Sequence, residues 1–253
     1  MTGRTSEAGN ATEKALRLLE SAAAPGYPHR LGEIAKEAAV PKASAHRILQ
    51  NLVEISFLAS DGIGGYGPGP RLRALAARVT RGCPEDQVMR DEIEGLSRRT
   101  GGAAQLGVRT GDVVTCLINA PGPQAVRTAI HAGMQMPLHA TAIGKCVLSG
   151  LSDDELVGLT TRLGLPARTG KTITDLDALR ADLAGVRDLG YAFEEEENEA
   201  NVRCLAAPVR DSRGIVVGGV GISGITFLEP REELLARADQ VRMTAEALFG
   251  VLH

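Results

Sequence analysis

Residues 40–52 read VPKASAHRILQNL. Lys42, Ala43, Ser44, His46, Arg47, Gln50 and Asn51 fall on one side of a helical projection, and Ala45, Ile48, Leu49 and Leu52 recur at helical spacing on the other. Two chemistries suit this pattern: a helix that reads DNA, or an amphipathic helix with a solvated face. A recognition helix presents its N-terminal residues to base edges in the major groove. Lys42, Ala43, Ser44 and Arg47 would then lie first, with Arg47 aimed at a guanine edge or a phosphate and Gln50 and Asn51 further toward the backbone.

Other chemistry-bearing residues carry less. Gly219, Gly221 and Gly224 satisfy GxGxxG, but the dinucleotide fingerprint needs a strand before it, a helix directly after it and an acidic residue about twenty positions on. These glycines lie inside an apolar, strand-like run followed by ITFLEP. Gly144-Lys145 matches part of a P-loop, yet the earlier glycine is His139 and the hydroxyl residue is Cys146. The five His and four Cys show no metal-ligand spacing, so neither a metal nor a cofactor is expected. A thiol–histidine pair among Cys116, Cys146, Cys204, His131 and His139 has no sequence signature, and structural cysteines are the simpler reading. Glu194 to Glu197, with Glu199, read most simply as a solvated loop, because four consecutive carboxylates cannot all be buried; the functional reading is that one or two of them rim a pocket or dock against a neighbouring helix terminus.

The elements that position these residues follow from patterning. The apolar fraction is 43%, with no Trp and 3% aromatic residues, so the cores rest on Leu, Val, Ile and Ala. No apolar run is long enough to span a bilayer, MTGRTSEAGN lacks a signal-peptide core, and scattered cysteines suit a reduced, cytoplasmic setting. Ten basic and seven acidic residues in 1–80 give that part +3, leaving −6 on residues 81–253. One part is suited to approach a polyanion and the other is not.

ATEKALRLLESAAA places Ala15, Leu16, Leu19 and Ala22 together, capped by Asn10 or Thr12 and ended by Pro25-Gly26. LGEIAKEAA groups Leu31, Ile34, Ala35 and Ala38, and Val40-Pro41 turns the chain sharply into the third helix, which is helix-turn-helix spacing. Phe57-Leu58, the turn DGIGG and a return strand from Tyr66 then form a wing. RLRALAARVT reads as a linker helix.

Beyond it, QVMRDEIEGLSRRTG is an amphipathic helix and AAQLGVRTGDVVTCLINA a hairpin about Thr110-Gly111-Asp112. ATAIGKCVLSG, DDELVGLTTRLG and DLDALRADLAGVRDLG are helical. LAAPVRDSRGIVVGGVGISG gives two strands about Asp211–Gly214, and REELLARADQVRMTAEALFGVLH a long closing helix. Hairpins interleaved with helices favour an α+β domain. The organisation expected is two domains: a winged helix-turn-helix domain over 10–70, mainly α with a small β wing, a linker helix region over 71–83, and an α+β domain over 84–253.

ATEKALRLLE and LGEIAKEAAVPKASAHRILQNL resemble the winged-helix domain of the IclR-type bacterial transcription regulators. PLHATAIGKCVLSGLSDDEL and GYAFEEEENEANVRCLAAPVRDSRGIVVGGVGISG resemble the two signature segments of that family's effector-binding domain. The resemblance implies a GAF-like effector-binding domain with a curved antiparallel sheet. It further implies a homodimer or homotetramer on double-stranded operator DNA, a small organic effector such as a carboxylate or aromatic catabolite, and no catalytic activity. It also implies that His139, Ala140, Thr141 and Gly144 open a helix against the effector pocket, with Met134 before them and Cys204 and Ser223 on its lining; for His139 a structural role stands as an equal alternative. Three residues depart from the family pattern. Asn201 replaces a usual glycine, which implies an altered path toward Cys204, Ala43 replaces a small hydroxyl, and Ala45 replaces a larger aliphatic residue. The rival readings are a small-molecule enzyme with a Cys/His site fused to a helical module, and an assembly module with a degenerate winged helix.

Overall fold

The structure, a computed structural model, describes residues 10–82, 84–122 and 130–252. The chain divides into two compact units, 1–83 and 84–253.

The first unit begins with α1 (Ala11–Ala23), whose N-cap is Asn10: its side-chain oxygen accepts from the Glu13 N–H at 2.9 Å. Next come β1 (His29–Arg30), α2 (Leu31–Glu37), α3 (Lys42–Glu54), β2 (Leu58–Ser60), β3 (Gly65–Pro68) and α4 (Pro70–Gly82). The three strands form an antiparallel sheet in the order β1-β3-β2. A single small core holds Leu18, Ile34, Ala45, Leu49, Leu58 and Tyr66. Here the sequence pattern misled at one position. Leu16 is 53% exposed while Leu18 is fully buried. At 100° per residue Leu16 and Leu18 lie about 200° apart, so the face of α1 is centred on Leu18 and Ala22 rather than on Leu16.

The wing is fixed by its own turn. The Asp61 carboxylate accepts from the N–H groups of Ile63 (2.9 Å) and Gly65 (2.7 Å), and Gly62 and Gly64 take φ of +78° and +92°, where a side chain would be strained. Arg30, on β1, donates to the Ile63 carbonyl at 2.7 Å and so ties the wing tip back to the helical body.

The second unit contains α5 (Pro84–Thr100), β4 (Ala103–Thr110), β5 (Val113–Ala120), β6 (Gln135–Pro137), α6 (Ala142–Ser149), α7 (Asp153–Leu163), α8 (Leu176–Leu189), β7 (Ala192–Glu195), β8 (Val202–Arg210), β9 (Val216–Ile225), α9 (Arg231–Leu235) and α10 (Ala238–Ala247). Six strands make one curved antiparallel sheet, β6-β5-β4-β9-β8-β7. Helices α5 and α10 cover one face through Ile93, Leu96, Val241 and Ala245, and α6 and α8 the other through Val147, Leu148, Leu179 and Leu183.

Both expected hairpins form, and the GxGxxG glycines lie in the middle of β9. Their role is close packing: a Cβ on Gly219 would sit 3.2 Å from both the Ala207 carbonyl and a methyl of Ile143, so α6 reaches the sheet only over a bare backbone. The closing helix is not continuous. The chain breaks at Ala236-Arg237, where the Arg237 N–H donates to Leu234 in a tighter turn and its guanidinium is drawn onto Glu229.

Candidate DNA-reading helix and effector cavity

On α3, burial of Ala45 and Leu49 leaves Lys42, Ala43, His46, Arg47, Gln50 and Asn51 exposed and Ser44 half-buried. The exposed groups differ in freedom. Gln50 donates to the Tyr66 hydroxyl at 3.2 Å, which braces α3 against the wing strand. Among the described residues, Lys42, His46, Arg47 and Asn51 have no partner, so their donors are open to phosphates and base edges.

In the second unit a cavity of about 40 Å³ lies between the start of α6 and the sheet. Met134, Thr141, Cys204 and Ser223 all line it. Thr141 is the N-cap of α6: its hydroxyl oxygen accepts from the Gly144 N–H (3.1 Å) while the hydroxyl donates to the Pro137 carbonyl (2.8 Å). Cys204 on β8 and Ser223 on β9 are directly paired residues, and their Sγ and Oγ lie 3.2 Å apart. The Ser223 hydroxyl donates to Gln105 Oε1 at 3.1 Å, which adds β4 to the wall.

Three expected residues are placed otherwise. His139 faces a second, apolar cavity of about 140 Å³ beside Leu159 and Leu163, with its Nε2 3.1 Å from the Pro166 carbonyl. Burial holds this imidazole below its usual pKa, which keeps it neutral. Ala140 is fully buried and absent from the first cavity's lining. Gly144 is likewise not on the lining; a Cβ there would meet the Leu138 carbonyl at 2.2 Å, so its place is set by the close approach of α6 to the preceding chain. Asn201 takes φ of +63°, the left-handed region that glycine favours and asparagine tolerates, so the expected change of path does not follow from this residue.

Among the glutamates the pocket-rim reading holds for Glu194, while Glu195, Glu196 and Glu199 keep access to water. Glu194 and Glu197 are buried, at 1% and 7% exposure, and Glu194 lines the cavity. Glu194 lies in β7 opposite Cys204, so it shares the inward side with Ala192. One of its oxygens accepts from the N–H groups of Glu197 (2.5 Å) and Asn198 (3.1 Å). Burial nevertheless pushes its pKa up to about 7. Glu197 accepts from the fully buried Lys145 of α6 at 2.5 Å, and Asp182 of α8 lies 3.1 Å from the same ammonium. The P-loop-like Lys145 is thus the cation that holds α6, α8 and the 196–201 turn together.

The arrangement offers no catalytic constellation. Burial pushes the thiols of Cys116 and Cys146 up to about 11 and about 12, and that of Cys204 well above its usual value, so all three stay protonated. Cys204 neighbours Ser223 and Glu194, and His139 is committed elsewhere. Among the described residues no group of three or more His, Cys, Asp or Glu could hold a metal ion.

Two family models match the chain: the C-terminal domain of the bacterial transcriptional regulator IclR over residues 85–249, and the IclR helix-turn-helix domain over residues 11–62. The chain belongs to the IclR family. It is 31% identical to the HTH-type transcriptional regulator BhcR of Paracoccus denitrificans over 87% of this chain and 80% of that one. It is 29% identical to the HTH-type transcriptional regulator XynR of Escherichia coli over 95% and 96%. The crystal structure of a family regulator from Alicyclobacillus acidocaldarius superimposes with a TM-score of 0.81 at 26% identity, covering 94% of this chain and 96% of that one. As a family member this chain is a DNA-binding transcriptional regulator, not an enzyme. No helix among the described residues is long and apolar enough to cross a membrane.

Proposed function

We propose that this regulator reads double-stranded operator DNA with α3 and changes its hold on that DNA when a small organic molecule, a carboxylate or aromatic catabolite, enters the cavity beside α6. It acts in the cytoplasm as a homodimer or homotetramer, and it needs no cofactor. The observation that carries the reading is the cavity itself, because Met134, Thr141, Cys204 and Ser223 converge on it from four separate segments. The N–H groups of Ala142 and Ile143, at the first turn of α6, supply donors for an acidic group there. On α3, Lys42 and Arg47 supply salt-sensitive phosphate affinity, and Arg47, His46 and Asn51 are placed for base edges.

Selection of bound fragments from genomic DNA, followed by gel retardation on the recovered site, tests the first half. Arg47→Ala is expected to lower specific affinity roughly tenfold to a hundredfold. Unchanged affinity and unchanged sequence preference would remove Arg47 from the reading set. Adding catabolites to the retardation assay tests the second half.

A further inference from the structure

The second unit contains another hollow, the one that His139 faces. Its volume is about 140 Å³ against about 40 Å³ for the cavity beside Thr141, and the two share no lining residue. Its walls come from the start of β5, from β6, α6 and α7, through Val113, Pro137, Leu148, Leu159 and Leu163. The turn after α7 keeps the space open. Gly164 caps that helix at a φ of +70°, where a side chain would be strained, and a Cβ there would meet nothing within 4 Å. The chain then returns through Leu165 to Pro166, whose carbonyl lies 3.1 Å from His139 Nε2.

The polar side chains on this lining are already engaged. The Thr160 hydroxyl donates to the Leu156 carbonyl at 2.8 Å, and Asp112 is paired with Arg162. A carbonyl can only accept, so His139 Nε2 carries the hydrogen given to Pro166 and Nδ1 keeps a lone pair. Among the described residues no Lys or Arg lines the hollow. One lone pair is too little for an ordered water, which needs about two to four polar partners, and an ionic group would lose its hydration there without compensation. Apolar cavities of about 150 Å³ stay dry and admit a guest of benzene's size.

We propose that this hollow is a second ligand site, which takes a compact uncharged hydrocarbon of about benzene's size and is separate from the cavity beside Thr141. It stands independently of the reading of that cavity as the effector site. The guest lies against Leu148, in the last turn of α6, while Ala142 and Ile143, in the first turn of the same helix, line the other cavity. With eight residues α6 is only about 12 Å long, so one short, stiff element borders both spaces. The Asp112–Arg162 pair ties the β4–β5 turn to α7 beside the hollow, and both of its side chains reach water. The pair leaves the lining without an uncompensated charge.

The test uses the full-length protein with xenon and toluene as probes. A crystal under xenon pressure is expected to show a xenon atom among Leu148, Leu159 and Leu163; xenon only in the cavity beside Thr141, or in neither, overturns the proposal. In solution, calorimetric titration is expected to give toluene a dissociation constant on the order of a millimolar, the reach of so few apolar atoms. Leu163 is 41% exposed, so Leu163→Trp can lay an indole over the hollow without disturbing a packed core. That variant should weaken toluene binding roughly tenfold or more, whereas Leu163→Ala, which leaves the space open, should retain it. Absence of toluene binding, or equal binding by wild type and Leu163→Trp, overturns the proposal. Benzoate, the same ring with a charge, serves as the control: any binding it shows should be the same in Leu163→Trp, and a comparable loss would overturn the specificity for an uncharged guest. The xenon result on the wild type decides the matter even if the tryptophan variant fails to fold.

Discussion

Glu194 is the residue whose environment departs furthest from what its type suggests. Its carboxyl sits in the folded protein with a pKa of about 7, well above the ordinary carboxylate value of about 4.3. A folded-state value above the unfolded one stabilises the fold at low pH, and that contribution is lost as pH rises through 7. Charge on Glu194 is opposed by burial first and by Glu197 as well, while the N–H groups of Asn198 and Glu197 and the thiol of Cys204 act the other way. Glu194→Gln removes the titration and keeps the shape. The difference in unfolding free energy between wild type and variant should therefore shift by about 3 kcal/mol in the variant's favour between pH 4 and pH 8. Chemical denaturation at a series of pH values measures it, and a pH-independent difference would show that folding does not raise the Glu194 pKa. Lys145 makes the complementary case. Lys145→Met leaves Glu197 buried without its cation and should cost about 3–5 kcal/mol. The double variant with Glu197→Gln should recover part of that loss, since Asp182 is one-third exposed and can regain water.

At the scale of elements, what the sequence made legible was whatever had a long period or a strong turn. Helices α1, α3 and α8 show a 3.6-residue repeat with a cap or a stop, and the β4–β5 and β8–β9 hairpins show apolar runs around Gly111 and Gly214, both at positive φ. Strands β1, β6 and β7 are two to four residues long, too short to express an alternation, and they exist because neighbouring strands offer them hydrogen bonds. This is also why Glu194 was hidden: read as a run of charge it belongs to water, and only its pairing in β7 turns it inward beside Cys204. Thr141, Cys204 and Ser223 lie within the family-like segments and Met134 just before one of them, and all four line the cavity, whereas His139 and Gly144 share those segments but pack elsewhere. Gly144→Ala tests that distinction. With its new Cβ 2.2 Å from the Leu138 carbonyl, α6 must shift, and a loss of about 1–3 kcal/mol is expected. Unfolding measurements report the loss, and an unchanged stability would mean that the approach of α6 to residue 138 is not tight.

For the molecule as a whole, the opposed charges of the two parts match two tasks that must be linked if a ligand is to alter DNA binding. Linkage is reciprocal: a molecule that weakens operator binding by some factor must itself be bound more weakly, by the same factor, when operator is present. The covalent route between the tasks runs through α4, whose exposed face includes Leu75 and Val79 and whose interior contains neither Gly nor Pro. A stiff helix can pass on a displacement that a flexible connection would absorb. Ala74→Pro places a proline in the middle of α4, where it removes one backbone hydrogen bond and clashes with the preceding turn, at a cost of about 3 kcal/mol to that helix. If α4 carries the coupling, the variant should still retard operator DNA and still bind effector, while effector no longer changes the retardation. Titrating effector with and without operator reads the same quantity from the other side, and the two affinities should become equal. Persistence of the wild-type ratio in the variant would place the coupling outside α4.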